Sequence, residues 1–175
     1  MKFYKTSVRI FLFYICILPI FLKGSIITSS GLVEGIEQDD VITWKNIPYA
    51  MPPIKDLRWM APQPINDSSI VIDQLKPNGC VQEPSRYAGM SGKDIVGSED
   101  CLYLDIKSPK DALTLVSSSK AKKLPVMFWI HGGGNTTGYK DYYDFTEFVR
   151  QKQVVVVTIN YRPVSYTHLT LPTKA

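Results

Sequence analysis

The sequence predicts an α/β chain in which a small antiparallel β-region leads into a strand–helix–strand unit. Two runs, "PVMFWI" (125–130) and "VVVVTIN" (154–160), are almost entirely apolar and rich in β-branched and aromatic residues. Such runs suit neighbouring parallel strands buried on both faces. Between them "DYYDFTEFVRQK" (141–152) has the spacing of a helix. Upstream, short alternating pieces are interrupted by prolines and glycines, the pattern of β-structure with irregular loops.

Taken in order, the chain opens with Lys2, Lys5 and Arg9, then the uncharged run "IFLFYICILPIFL" (10–22), then Lys23, Gly24 and Ser25. Thirteen apolar residues fall short of the ~20 that span a bilayer as a helix, and Pro19 interrupts them. Residues 1–24 therefore read as a signal peptide, with cleavage somewhere in 24–30. The expected location is the secretory-pathway lumen or outside the cell; a signal-anchored membrane protein is the alternative. The same segment explains the net charge of +4: its four basic residues meet no acid there, and the rest of the chain is neutral. No basic surface for nucleic acid is implied, and "SSSKAKK" (117–123) reads as a solvated loop.

The stretch "GLVEGIEQDDVITWKNIPYA" (31–50) alternates around Val41 to Trp44, with "EQDD" as its turn. Prolines 48, 52, 53, 62 and 64 follow, so "IKDLRWMA" (54–61) is expected to be extended and irregular. Residues 80–100 form a loop-rich segment punctuated by glycines, and "CLYLDI" (101–106) is a strand. In the helix, Asp141 is the expected N-cap; Tyr142, Phe145, Phe148 and Val149 share a face; Arg150 and Lys152 suit the C-terminal dipole. The unit is expected to be right-handed, and "VVVVTIN" to present a flat apolar edge prone to aggregation.

Cys16 leaves with the signal peptide, so Cys80 and Cys101 remain as an even pair in an oxidising compartment. A disulfide is expected, with two buried free thiols as the alternative. No histidine or third cysteine stands near either one in the sequence, so no metal site is expected. Two sequons are present. Asn66, in a polar turn, is a possible glycosylation site; Asn135 follows the glycines directly, where a glycan would obstruct them.

The stretch "FWIHGGGNTTG" (128–138) places three glycines at the carboxyl end of the first parallel strand, where open α/β sheets bind ligands. The spacing is not G-x-G-x-x-G, and no acidic residue follows the second strand; no lysine follows for a phosphate loop. Two readings stay open on the glycines alone: backbone N–H groups aimed at a developing oxyanion, or a turn that only reverses the chain.

Five segments, "KNIPYAMPPIKDLRW", "GCVQ", "SEDCLYLDI", "PVMFWIHGGGN" and "VVVVTINYR", occur together in order. In order and spacing they resemble the type-B carboxylesterases, the cholinesterase-like branch of the α/β-hydrolases, over residues 31–162. The resemblance implies an incomplete, N-terminal part of that fold, acting with no cofactor on a small-molecule ester. It implies that Gly133 and Gly134 supply N–H groups to the oxyanion hole while Gly132 makes the turn. Cys80 and Cys101 would form the family's first disulfide, and Arg58 and Glu99 a buried structural ion pair. His131 would flank the hole and not act as the base. The chain departs from the pattern in three places. Asn46 stands where glycine is common, which suggests a left-handed conformation; Asn135 replaces an aromatic. The Cys80–Cys101 segment has Tyr87 as its one aromatic and lacks the tryptophan that binds choline, which argues against choline esters.

The chemistry of such an enzyme needs a serine on a G-x-S-x-G elbow, then an acid and a histidine. No serine here fits; "GMSGK", around Ser91, comes nearest but has Lys93 in place of the second glycine. The resemblance stops after Arg162, and residues 163–175, with His168, resemble translated adapter read-through. The sequence thus divides into a signal peptide, a partial carboxylesterase domain over 25–162, and a tail expected to be artefactual. The expected function is that of an N-terminal fragment of a secreted serine esterase, inactive by itself. A fragment of a non-catalytic cholinesterase-like adhesion or receptor ectodomain is the alternative. Oligomeric state and ester preference are not written in this stretch.

Overall fold

The structure, a computed structural model, describes residues 24–74, 79–87, 89–112 and 123–163. The expected signal peptide lies almost wholly outside the described residues, as do residues 164–175. Among the described residues no helix is long and apolar enough to cross a membrane.

A two-stranded ribbon comes first, β1 (Ile26–Thr28) against β2 (Gly31–Val33). The main sheet has five strands: β3 (Ile36–Gln38), β4 (Val41–Pro48), β5 (Tyr103–Pro109), β6 (Val126–Ile130) and β7 (Val155–Ile159). Their spatial order is β3-β4-β5-β7-β6, and the one helix that crosses between β6 and β7 is α1 (Thr146–Lys152). The first three contacts across the sheet are antiparallel and the last, β7 with β6, is parallel. The antiparallel β-region and the strand–helix–strand unit are therefore one continuous mixed sheet.

β4 keeps both its faces covered because the chain packs on each side of it. On one side Ile42, Trp44 and Ile47 join Val33 and Ile72, with Leu104 and Ile106 against them. On the other, Val41 meets Val149 of α1 and Val156 of β7, with Met127 and Phe145 packed alongside. Val149 is fully buried, and removing an aliphatic side chain of that size from water is worth roughly 1.5–3 kcal/mol. The register of β4 on β5 slips between Trp44 and Ile47, and in that bulge Asn46 has φ of 56°, the left-handed conformation that asparagine tolerates.

Three expectations are corrected. Residues Lys55–Leu57 make one 3₁₀ turn inside the proline-rich segment instead of staying extended. The helix is shorter than the spacing predicts, because Asp141 does not cap it: its carboxylate lies 3.1 Å from Lys140 Nζ. The N-cap is Phe145, which has no side-chain capping bond, and Asp144 just before it accepts from the Thr146 N–H at 3.0 Å. Of the expected helix face, Val149 is buried and Phe145 partly so, while Tyr142 and Phe148 stay exposed. Finally, "VVVVTIN" is not the edge. β7 is enclosed between β5 and β6, and the apolar edge strand is β6.

Candidate functional site

The loop that leaves β6 is built around one carbonyl. Gly133 O accepts hydrogen bonds from the N–H groups of Thr136 (3.1 Å) and Thr137 (3.2 Å), and from the Thr136 hydroxyl (3.0 Å). The chain turns there through left-handed backbone at Gly133 (φ 114°), Gly134 (φ 62°) and Asn135 (φ 62°). A Cβ on Gly133 would lie 2.1 Å from Thr137 O, so no other residue fits the turn without moving it. Gly132 differs: its backbone is not left-handed, and a side chain there would meet nothing within 4 Å. Among the described residues nothing accepts from the N–H of Gly133 or Gly134. Two adjacent donors are thus left at the carboxyl end of a strand, next to solvent.

The two ends of this loop are held from different sides. At the start, the Tyr161 hydroxyl donates to His131 O at 2.7 Å, and the two rings stack with centroids 4.1 Å apart. His131 is buried; its Nδ1 lies 3.0 Å from Gly132 O, and its Nε2 has no partner among the described residues. Burial holds its imidazole below the ordinary histidine range, only partly offset by the Gly132 carbonyl, so the ring is neutral at pH 7. At the far end, the Gln82 carboxamide grips Gly138, and the Lys140 N–H donates to Asn160 Oδ1 at 2.8 Å.

Beneath the loop lies a buried polar cluster. Lys140 is fully buried and its ammonium reaches Asp105 Oδ2 at 2.7 Å, while Asp105 Oδ1 accepts from the Asn46 N–H at 2.7 Å. Burial pushes the Asp105 carboxyl up to about 6; Lys140 opposes this and Asp141 adds to it. Asn160 ties the cluster to the sheet, donating its N–H to Tyr103 O and accepting the Tyr49 hydroxyl on its carbonyl at 2.7 Å. Burial raises the Tyr49 phenol to about 12, against the pull of Arg162, so it remains a donor at any physiological pH.

Cys80 and Cys101 are joined in a disulfide and are buried. Arg58 and Glu99 meet at 2.5 Å, but their side chains remain 48% and 28% exposed. The pair is therefore not the buried one expected: the proline-rich segment carrying Arg58 runs over the surface, where an ion pair contributes ~0–1 kcal/mol. Asn66 is exposed, and so is Tyr87. Among the described residues no group of three or more histidine, cysteine or acidic side chains could hold a metal ion.

Residues 23–174 match the carboxylesterase family. The chain belongs to that family. Over 147 residues it is 36% identical to the para-nitrobenzyl esterase of Bacillus subtilis, a match covering 81% of this chain and 28% of the relative. It is 43% identical over 143 residues to the fumonisin B1 esterase of Sphingopyxis macrogoltabida, covering 77% and 24%. Among solved structures a thermophilic pNB esterase superposes with a TM-score of 0.69 at 34% identity, over 85% of this chain and 30% of the other. The chain thus carries an N-terminal part of a carboxylesterase with the α/β-hydrolase fold, and spans about a quarter of the length of the curated relatives it matches.

Sequence reasoning reached the glycines, the cysteines and the ion pair, but not the residues that hold the glycine loop in place. Gln82, Lys140, Asp105, Asn160 and Tyr161 make those contacts. Four of them stood in quoted segments, Gln82 in "GCVQ", Asp105 in "SEDCLYLDI", and Asn160 and Tyr161 in "VVVVTINYR", so a signal existed. Lys140 had none, since a single lysine in a loop ordinarily faces water.

Proposed function

We propose that this chain is the oxyanion-binding, N-terminal part of a secreted serine carboxylic-ester hydrolase. The observation that carries the reading is the pair of adjacent N–H groups on Gly133 and Gly134, without an acceptor among the described residues, on a loop fixed at both ends. In the complete enzyme a serine oxygen would attack the ester carbonyl, and the carbonyl oxygen would become negative in a tetrahedral intermediate. Donors already in place stabilise that charge without reorganising, and one of them is worth ~3 kcal/mol of barrier. The alcohol then leaves with a proton from the base, and water hydrolyses the acyl-enzyme. Within residues 1–175 no serine stands in a G-x-S-x-G elbow, so nothing here makes that charge, and the chain by itself is inactive. The buried disulfide supports folding in an oxidising compartment.

The test is hydrolysis of a nitrophenyl ester by the protein expressed from the complete coding sequence. Activity is expected, with kcat lowered at least ~100-fold by Gly133→Ala, whose Cβ would displace the Thr137 carbonyl. The 175-residue chain is expected to give no turnover above buffer. An intact kcat in the Gly133 variant would overturn the oxyanion role of that glycine, whereas no turnover by the complete protein, or a substituted serine at the downstream elbow, would overturn the esterase reading and favour a binding protein.

A further inference from the structure

Gln82 is 98% hidden from solvent, and all its polar atoms are used. Its Oε1 accepts from the Gly138 N–H at 2.8 Å, while its Nε2 donates to Gly138 O at 2.9 Å and to Cys80 O at 3.0 Å. The carboxamide therefore pairs with the N–H and the carbonyl of one residue, as a neighbouring strand would. Its direction is set by chemistry, because only an amide nitrogen can face two carbonyl oxygens. Gln82 lies two residues after Cys80 of the disulfide, and its backbone is itself held by a reciprocal pair of 3.0 Å hydrogen bonds with Val96.

Gly138 cannot be held by a side chain of its own. With φ of 124°, a Cβ there would sit 2.2 Å from His131 Nδ1 and 2.4 Å from Gly132 O. The returning strand of the loop thus lies directly on the residue before Gly133, and its position sets where the two free donors point. Tyr161 fixes the outgoing strand, and Asn160 fixes the chain only from Lys140 onward. The Gly138 position is left to Gln82.

We infer that Gln82 is a positioning residue for the oxyanion loop: through Gly138 it transmits the rigidity of the disulfide-closed segment to the N–H groups of Gly133 and Gly134. The inference rests on the oxyanion reading above. It makes Gln82 matter to the transition state, where misplacement of donors is felt, and little to the binding of the ester itself.

The experiment uses the complete enzyme with Gln82→Glu, which turns an oxygen toward two carbonyls, and Gln82→Met, which keeps length and burial but removes the polar atoms. A ten- to hundredfold fall in kcat is expected, of the order that a loop displaced by about 1 Å produces, with KM changed by less than about threefold. Affinity for an aryl trifluoromethyl ketone, whose serine adduct carries the oxyanion, should fall by the same factor in purified, folded variant. A purely structural glutamine would lower the folded fraction yet leave kcat per folded molecule and ketone affinity unchanged; that result overturns the inference. So would failure of both variants to fold. If Gly133→Ala also leaves kcat intact, it is the oxyanion reading that fails and not this refinement alone.

Discussion

β4 and β6 belong to one sheet, and β6 is the more apolar of the two, yet β4 is the one that is enclosed. β4 has six of its eight residues buried, whereas on β6 the alternate residues Val126, Phe128 and Ile130 are 64%, 55% and 62% exposed. The difference lies in what the chain lays over each strand. β4 has α1 over one face, where Val41 and Val156 of β7 meet Val149, and the β2 and Ile72 cluster on the other, while β6 has cover only on the face of Met127 and Trp129. The candidate site hangs from the open strand, but much of its support comes from the enclosed region, through Gln82, Asp105 and Asn160. A loop on an uncovered strand can thus still be rigid if its anchors lie in a well-packed part of the molecule.

The largest test of that division is Lys140→Met in the complete protein. The substitution leaves Asp105 buried without its cation, which costs ~3–5 kcal/mol when one partner of a buried pair is removed. Denaturant unfolding should show the loss, and adding Asp105→Leu should restore a large part of it. No loss in the single variant would mean that the enclosed region does not anchor the loop.

Next comes the disulfide. Replacing Cys80 and Cys101 by alanine opens a loop with twenty residues between its ends, and should cost ~3 kcal/mol by the chain-entropy account. If the loop's rigidity passes through Gln82, hydrogen exchange at Gly138 should quicken before the β6–β7 ladder does. Equal acceleration at both would erase the distinction between the two regions.

The smallest effect on stability belongs to the open face. Val126→Lys with Phe128→Lys should change unfolding free energy by no more than about 0.5 kcal/mol each, since both side chains are already more than half exposed. Light scattering of the purified 175-residue chain should nevertheless fall, because charge on an apolar edge strand blocks strand-to-strand association. Unchanged scattering would show that β6 is not the sticky element.

Much of this was legible beforehand. The strands "PVMFWI" and "VVVVTIN", the helix between them and the glycines at the strand end all stand where the sequence places them, give or take a residue or two for the strands. The helix start was misread because Asp141 is an ordinary N-cap residue by type, and only the neighbouring buried Lys140 draws its carboxylate away. The edge strand was misread because strand order is not a local property: "VVVVTIN" and "VMFWI" are both strongly apolar, and pairing with β5 decides which is enclosed. Arg58 and Glu99 were paired correctly, but their exposure depends on how the proline-rich segment crosses the surface.

The sequence by itself determined the elements and the turn. Apolar periodicity marks strands and helix, and a glycine run at a strand end marks a turn there, because hydrophobic burial and backbone sterics act over a few neighbouring residues. Only the tertiary structure decided what holds that turn. Gln82 to Gly138, Lys140 to Asp105 and Tyr161 to His131 are contacts between residues 56, 35 and 30 positions apart. A buried hydrogen bond or ion pair is worth forming only where burial removes the competing water, and burial is a property of the assembled fold.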